Sequence, residues 1–124
     1  MEDVTLEELR GILDREALVL LDVRTPLEYQ GTAGAHCDPR QGHIPGAVNL
    51  PLERILECRS ADEVRGVVGL PEGTEIVAYC HSGSRSGFAV HVLRGAGYRA
   101  RNYLGSWHEW SRDPSLPAES GVEQ

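Results

Sequence analysis

The chain has 124 residues, 40% of them hydrophobic and 25% charged, which suits one globular domain with a real core and leaves too little for two. Its net charge of −7 argues against broad nucleic-acid binding, which rests on a basic face that neutralises phosphates. Lysine is absent, so Schiff-base chemistry on lysine is excluded.

Met1-Glu2-Asp3 is acidic and lacks the basic, apolar pattern of a secretory leader, so the expected location is cytoplasmic. Thr5-Leu6-Glu7-Glu8 reads as a capping box, and Leu6, Leu9, Ile12 and Leu13 fall on one face of a helix from about Thr5 to Asp14. Ala17 to Leu21 is a continuous apolar run, far too short to cross a bilayer but right for a strand buried on both faces. The strand ends in Asp22-Val23-Arg24, and Thr25-Pro26 opens a short helix through Tyr29. Gly31 to Gln41 is a polar, glycine-rich loop, long enough to carry function or to move. Gly42 to Ala47 is a turn segment, and Val48-Asn49-Leu50 a very short strand.

Pro51 starts a helix through Cys58, and Ser60 caps another to about Val67. Glu75 to Tyr79 is a strand that delivers Cys80, and a helix follows from about Ser84 to Arg94. Tyr98 to Asn102 reads as a last strand, followed by a short helix capped by Ser106. Residues 113–124 are expected to be a frayed polar tail behind a domain of residues 1–112. Strands alternating with helices imply an α/β layer fold with a mostly parallel sheet, whose sites lie at the carboxyl ends of strands. Asp22, Arg24 and Cys80 all fall there.

Cys80 sits at a strand end, before a loop of small and polar residues that leads into a helix N-terminus. Loop amides and the helix dipole there favour negative charge, so the thiol is expected to ionise easily and act as a nucleophile. The alternative is an inert core thiol, but a core cysteine needs no such loop. Cys80 to Arg85 is C-x4-R, one residue shorter than the C-x5-R of a cysteine-dependent phosphatase, and it makes a smaller cradle suited to a single sulfur atom.

The chain resembles a single-domain rhodanese from about Thr5 to Trp110. The resemblance rests on Leu21-Asp22-Val23-Arg24 with Glu28-Tyr29, on Gly42 through Pro51, on Cys80 through Ser86, and on Gly95-Ala96-Gly97-Tyr98 with Gly105-Ser106-Trp107. It implies a three-layer rhodanese-like fold, a small mostly parallel sheet flanked by helices. It also implies sulfur transfer through a Cys80 persulfide, from thiosulfate or a mercaptopyruvate-like thiol to cyanide, a small thiol or a protein thiol. No cofactor, nucleic acid or membrane is implied.

The backbone amides of His81, Ser82, Gly83, Ser84, Arg85 and Ser86 are expected to hold the outer sulfur. Arg40, in the long loop, is a candidate for binding an anionic donor, the alternative being a solvated loop arginine. Asp22 and Arg24 are expected to brace neighbouring loops. The family's thiosulfate enzymes carry basic residues just after the cysteine and two places later. Here the residues after Cys80 begin with His81 and Ser82, so less positive charge faces a dianionic donor.

The three cysteines, Cys37, Cys58 and Cys80, contain no C-x-x-C pair and read as reduced thiols. Cys37 is either an incidental surface thiol or a partner for the Cys80 sulfur. His36, Cys37 and His43 match no common ligand spacing, and no metal is expected. Two readings from other classes stay open: a non-catalytic rhodanese module that binds partners, and a cysteine-dependent phosphatase or arsenate reductase.

Overall fold

The computed structural model describes residues 3–121; Met1, Glu2 and residues 122–124, the outer ends of the expected domain and tail, lie outside them. Helix α1 (Leu6–Ile12) opens on the Thr5 capping box, with the Thr5 hydroxyl accepting from Glu8 N–H and the Glu8 carboxylate reaching back. A second capping box, Thr25 with Glu28, opens α2 (Pro26–Gln30), and Pro26 occupies its first turn. Helices α3 (Leu52–Leu56) and α4 (Ala61–Val68) follow, the latter capped by the Ser60 hydroxyl. Helix α5 (Ser84–Gly95) is the longest at 12 residues, and α6 (Ser106–Trp110) is a short final turn. No helix among the described residues is long and apolar enough to span a membrane.

Four strands, β1 (Leu18–Asp22), β2 (Val48–Asn49), β3 (Glu75–Tyr79) and β4 (Arg99–Asn102), form one sheet in the order β2-β1-β3-β4. Every pairing is parallel, with Leu18 opposite Glu75, Asp22 opposite Tyr79, and Ala78 opposite Asn102. The chain leaves β1 towards one edge and leaves β3 towards the other. The carboxyl ends of β1 and β3 therefore flank the point where the winding direction reverses, the place where open α/β sheets form a crevice.

The period-2 alternation of the strands feeds two cores. On β3, Ile76 and Ala78 face a cluster that includes Ile55, Val64, Ala89, Val90 and Leu93, drawn from α3, α4 and α5. Val77 and Tyr79 face the other cluster, with Val4, Leu9, Tyr103, Trp107 and Trp110. Each aliphatic side chain buried this way contributes about 1.5–3 kcal/mol relative to exposure. The result is a three-layer α/β/α arrangement.

The expected frayed tail is corrected by its packing. Leu116 is buried in the second core, and Trp110 Nε1 donates to Pro117 O at 2.7 Å. Glu119 pairs with His43 through two backbone hydrogen bonds, and Gly121 N donates to Gln30 O. Residues 113–121 are part of the same folded unit. The segment is polar in sequence because its backbone and two apolar side chains, rather than an apolar stripe, make the attachment.

Candidate active site

Cys80 lies at the carboxyl end of β3 and is 1% exposed. The chain then curls, and Gly83, at φ +93°, starts α5. A side chain there is excluded twice: by the left-handed φ, and by space, since a Cβ would stand 2.7 Å from Leu104 Cδ1 and from Leu104 O. This curl turns the Gly83 N–H onto Cys80 Sγ at 3.1 Å, and the Ser86 hydroxyl, from the first turn of α5, donates to the same sulfur at 3.3 Å.

Burial pushes the Cys80 thiol up. The Ser86 hydroxyl and the backbone amides of Ser86, Ser82 and Gly83 outweigh it, and the thiol lies below its ordinary range. Hydrogen bonds to the charged form are the cause; no lysine, arginine or histidine donates to the sulfur among the described residues.

The loop is framed from β4 and α6. Asn102 Nδ2 donates to Gly83 O at 3.0 Å. Cys80 N donates to Ser106 Oγ at 3.1 Å, and Ser106 Oγ in turn donates to Tyr103 O. Trp107 N and His108 N donate to Cys80 O and His81 O. Ser106 is therefore not the side-chain cap expected from sequence. It is the first helical residue, at φ +55°, and its hydroxyl bridges the cysteine backbone to the end of β4. A serine after glycine looks like a cap locally; only the long-range partners reveal the bridge.

Asp22 and Arg24 are 0% and 1% exposed. Arg24 Nη2 donates to Asp22 Oδ2 at 2.7 Å and to Gly42 O at 2.6 Å, and Arg24 Nε reaches Asp22 Oδ1 at 3.0 Å. The guanidinium lies over the rings of Tyr79 and Trp107. The pair thus ties the end of β1 to the turn after the long loop. In that turn His43 stacks on Tyr29 and bonds its carbonyl through Nδ1 at 2.7 Å. The His43 ring is thus taken up by Tyr29, with Nε2 3.7 Å from Glu119, and Trp107 and Trp110 are core residues.

Both arginines singled out near the site, Arg85 and Arg40, are already engaged. Arg85 makes two hydrogen bonds to Glu28, at 2.8 and 3.0 Å. Burial raises the Glu28 carboxyl, but Arg85 and the Thr25 cap hold it down at about 2. Arg40 donates to four backbone carbonyls, those of Ser111, Leu116, Trp110 and Asp113. Neither alternative for Arg40, donor binding or a solvated loop arginine, describes this: its guanidinium fastens the C-terminal segment. The partners stand 70 or more positions away, which no local pattern reports. His81 Nε2 lies 2.9 Å from Asp38 Oδ2, and Ser82, on the loop, and Ser84, the first residue of α5, are exposed.

The fold and site define an α/β domain that presents a hydrogen-bonded, acidified thiol at the head of a helix, at the switch point of a parallel sheet. The chain belongs to the rhodanese-like domain family, which it matches over residues 5–113. It is 35% identical over 123 residues to a thiosulfate sulfurtransferase of Pseudomonas aeruginosa, covering 93% of this chain and 45% of the relative. It is 36% identical over 119 residues to the sulfur carrier protein TtuD of Thermus thermophilus, covering 84% and 42%. The crystal structure of a probable thiosulfate sulfurtransferase superposes with a TM-score of 0.79 at 48% identity, covering 94% of this chain and 47% of that one. The chain thus spans less than half the length of the curated relatives it matches.

Proposed function

We propose that the chain is a sulfurtransferase that carries sulfane sulfur on Cys80. The observation that supports this best is the hydrogen-bonded Cys80 sulfur, which accepts from Gly83 N–H and the Ser86 hydroxyl. The Cys80 thiolate attacks the outer sulfur of a donor. With thiosulfate, the donor S–S bond breaks, sulfite leaves with the electron pair, and a Cys80 persulfide forms. The acceptor then attacks the outer sulfur. Cyanide leaves as thiocyanate, and the Cys80 thiolate returns; a thiol acceptor leaves as its own persulfide. The amides of His81 to Ser86 cradle the outer sulfur, and the same hydrogen bonds that lower the Cys80 thiol favour the attacking thiolate.

Donor choice follows from charge. Arg85 is neutralised by Glu28 and Arg40 is committed to carbonyls, so the loop amides carry most of the attraction for an anionic donor. A monoanionic mercaptopyruvate-like donor fits this better than a dianion. A phosphatase role lacks support, because the arginine that would clamp phosphate oxygens is held by a carboxylate. In this reading residues 1–112 are the catalytic domain, with 113–121 packed on it. The protein works in the cytoplasm, where free thiols stay reduced, and its partners are a small donor and a small or protein thiol.

The test is intact-mass analysis after incubation with thiosulfate or mercaptopyruvate, followed by cyanide. The expected result is a one-sulfur adduct on Cys80 that cyanide removes as thiocyanate. Absence of the adduct with both donors refutes the reading.

A further inference from the structure

Beside the cysteine loop, four side chains converge that take no part in holding the Cys80 sulfur. One ligand-type atom from each of Cys37, Asp38, His81 and His108 lies within 4.8 Å of all the others. Cys37 and Asp38 come from the long loop, His81 follows Cys80, and His108 is on α6. The Asp38 side chain is 1% exposed, with Oδ2 2.9 Å from His81 Nε2 and Oδ1 3.3 Å from His108 Nδ1. Yet Asp38 Oδ2, His81 Nε2 and His108 Nδ1 are all buried atoms without a hydrogen bond. Buried polar atoms are nearly always hydrogen-bonded, so a buried carboxylate that meets two imidazoles at ion-pair distance without hydrogen-bond geometry marks a place where an ion fits between them.

We propose that Cys37, Asp38, His81 and His108 bind one divalent transition-metal ion of the zinc type. Two imidazoles, a thiolate and a carboxylate form a borderline-soft donor set that suits zinc and does not suit calcium or magnesium, which take oxygen ligands. Four protein ligands make a closed tetrahedral site, so the ion is structural and leaves no position for substrate. With metal–ligand distances of about 2.0–2.3 Å, the donors of a tetrahedron stand about 3.3–3.8 Å apart, so the widest pairs of the cluster close in and the 2.9 Å Asp38–His81 pair opens to admit the ion. Arg112 Nη1 occupies Asp38 Oδ1 at 3.1 Å and Arg112 Nη2 holds Cys37 O at 2.7 Å. Both bonds leave Oδ2 to the ion and orient the ligands from behind, and the Cys37 thiol gives up its long 3.9 Å contact with Asp38 Oδ1 when it ligates. Binding expels the Cys37 thiol proton to solvent and involves no redox change. The ion clamps the long loop and α6 to the residue that follows the candidate nucleophile.

The test uses the full chain, stripped with a chelator under reducing conditions and titrated with Co2+ as a spectroscopic probe and with Zn2+ against a chromophoric chelator. One ion per chain is expected, with tetrahedral cobalt bands and a thiolate charge-transfer band. Binding persists in Cys80→Ser, so the candidate nucleophile is not the ligand. His108→Ala and Cys37→Ser each weaken binding at least tenfold, and Cys37→Ser also removes the charge-transfer band. If His108→Ala does not melt cooperatively, Cys37→Ser, at an exposed position, carries the test. Failure to bind either ion at micromolar concentration overturns the proposal, as does binding abolished by Cys80→Ser and untouched by Cys37→Ser. None of these readouts depends on sulfur transfer.

Discussion

Replacing Ser86 with alanine removes one donor from the Cys80 sulfur and leaves the Gly83 amide at 3.1 Å in place. Hydrogen bonds to charged acceptors contribute about 1.5–3 kcal/mol. Sulfur is a soft acceptor and other donors remain, so the lower end applies: about 1.4 kcal/mol, or one pKa unit upward. The assay is the pH dependence of alkylation by iodoacetamide, with Cys37 and Cys58 replaced by serine. Below both pKa values the variant has about tenfold less thiolate, but its thiolate is intrinsically about threefold more nucleophilic, since reactivity rises with basicity. The net result is alkylation about threefold slower on the acid side and about threefold faster on the alkaline side, with the two profiles crossing. A profile whose midpoint is unmoved, or moved down, in a variant that still melts cooperatively refutes the claim that hydrogen bonding acidifies Cys80. The same depression affects stability. The folded thiol lies below its ordinary value of 9.0, so its contribution is fully present only above that value and is lost as pH falls through the folded pKa. The wild type therefore gains on Ser86→Ala as pH rises.

Glu28→Gln keeps the cap on Thr25 but removes the ion pair with Arg85. It should cost about 1–2 kcal/mol at pH 7 after allowance for solvent screening. Because the Glu28 carboxyl is depressed to about 2, that difference is present above the unfolded carboxylate value and disappears as pH falls towards 2. Urea unfolding at a series of pH values measures it, and a difference that persists at the acid end contradicts the ion pair. Gly83→Ala should destabilise by about 2–4 kcal/mol, from positive-φ strain and the clash with Leu104 together, and should abolish sulfur transfer; thermal melts and thiocyanate formation measure the two losses. Arg40→Ala should lower stability by about 2–4 kcal/mol by orphaning buried carbonyls, while KM for thiosulfate stays within about twofold. A large rise in KM with unchanged stability would return Arg40 to the donor site.

Local chemistry was readable. Thr5 with Glu8, and Ser60, declared their helices from the residue just before each, and the apolar run before Cys80, with Gly83 after it, announced strand, curl and helix. These signals depend on neighbours within one turn. What escaped depends on distant partners. Arg40 reaches carbonyls beyond Trp110, the Ser106 hydroxyl reaches back to Cys80, and Asp38 meets His81 and His108 from a loop with no periodicity. Leu116 and the backbone of Glu119 anchor a segment whose composition resembles a free end. Charge, spacing and propensity describe what a residue prefers, and they are silent about which of several carbonyls or carboxylates the fold will bring to it.

The frame around the cysteine loop has a temporal consequence. The backbone frame of the loop, from Asn102, Leu104, Ser106, Trp107 and His108, lies in the last quarter of the chain, while Asp38 and Glu28 meet the loop from earlier segments. During synthesis the Cys80 segment leaves the ribosome without its scaffold and waits about 1–5 s for those residues at ordinary elongation rates. The loop then has no fixed curl to aim its amides, and the thiol is an ordinary, weakly ionised one. The frame of the loop is complete only once the final strand and helix are in place, so the rate of Cys80 alkylation is expected to report completion of the fold.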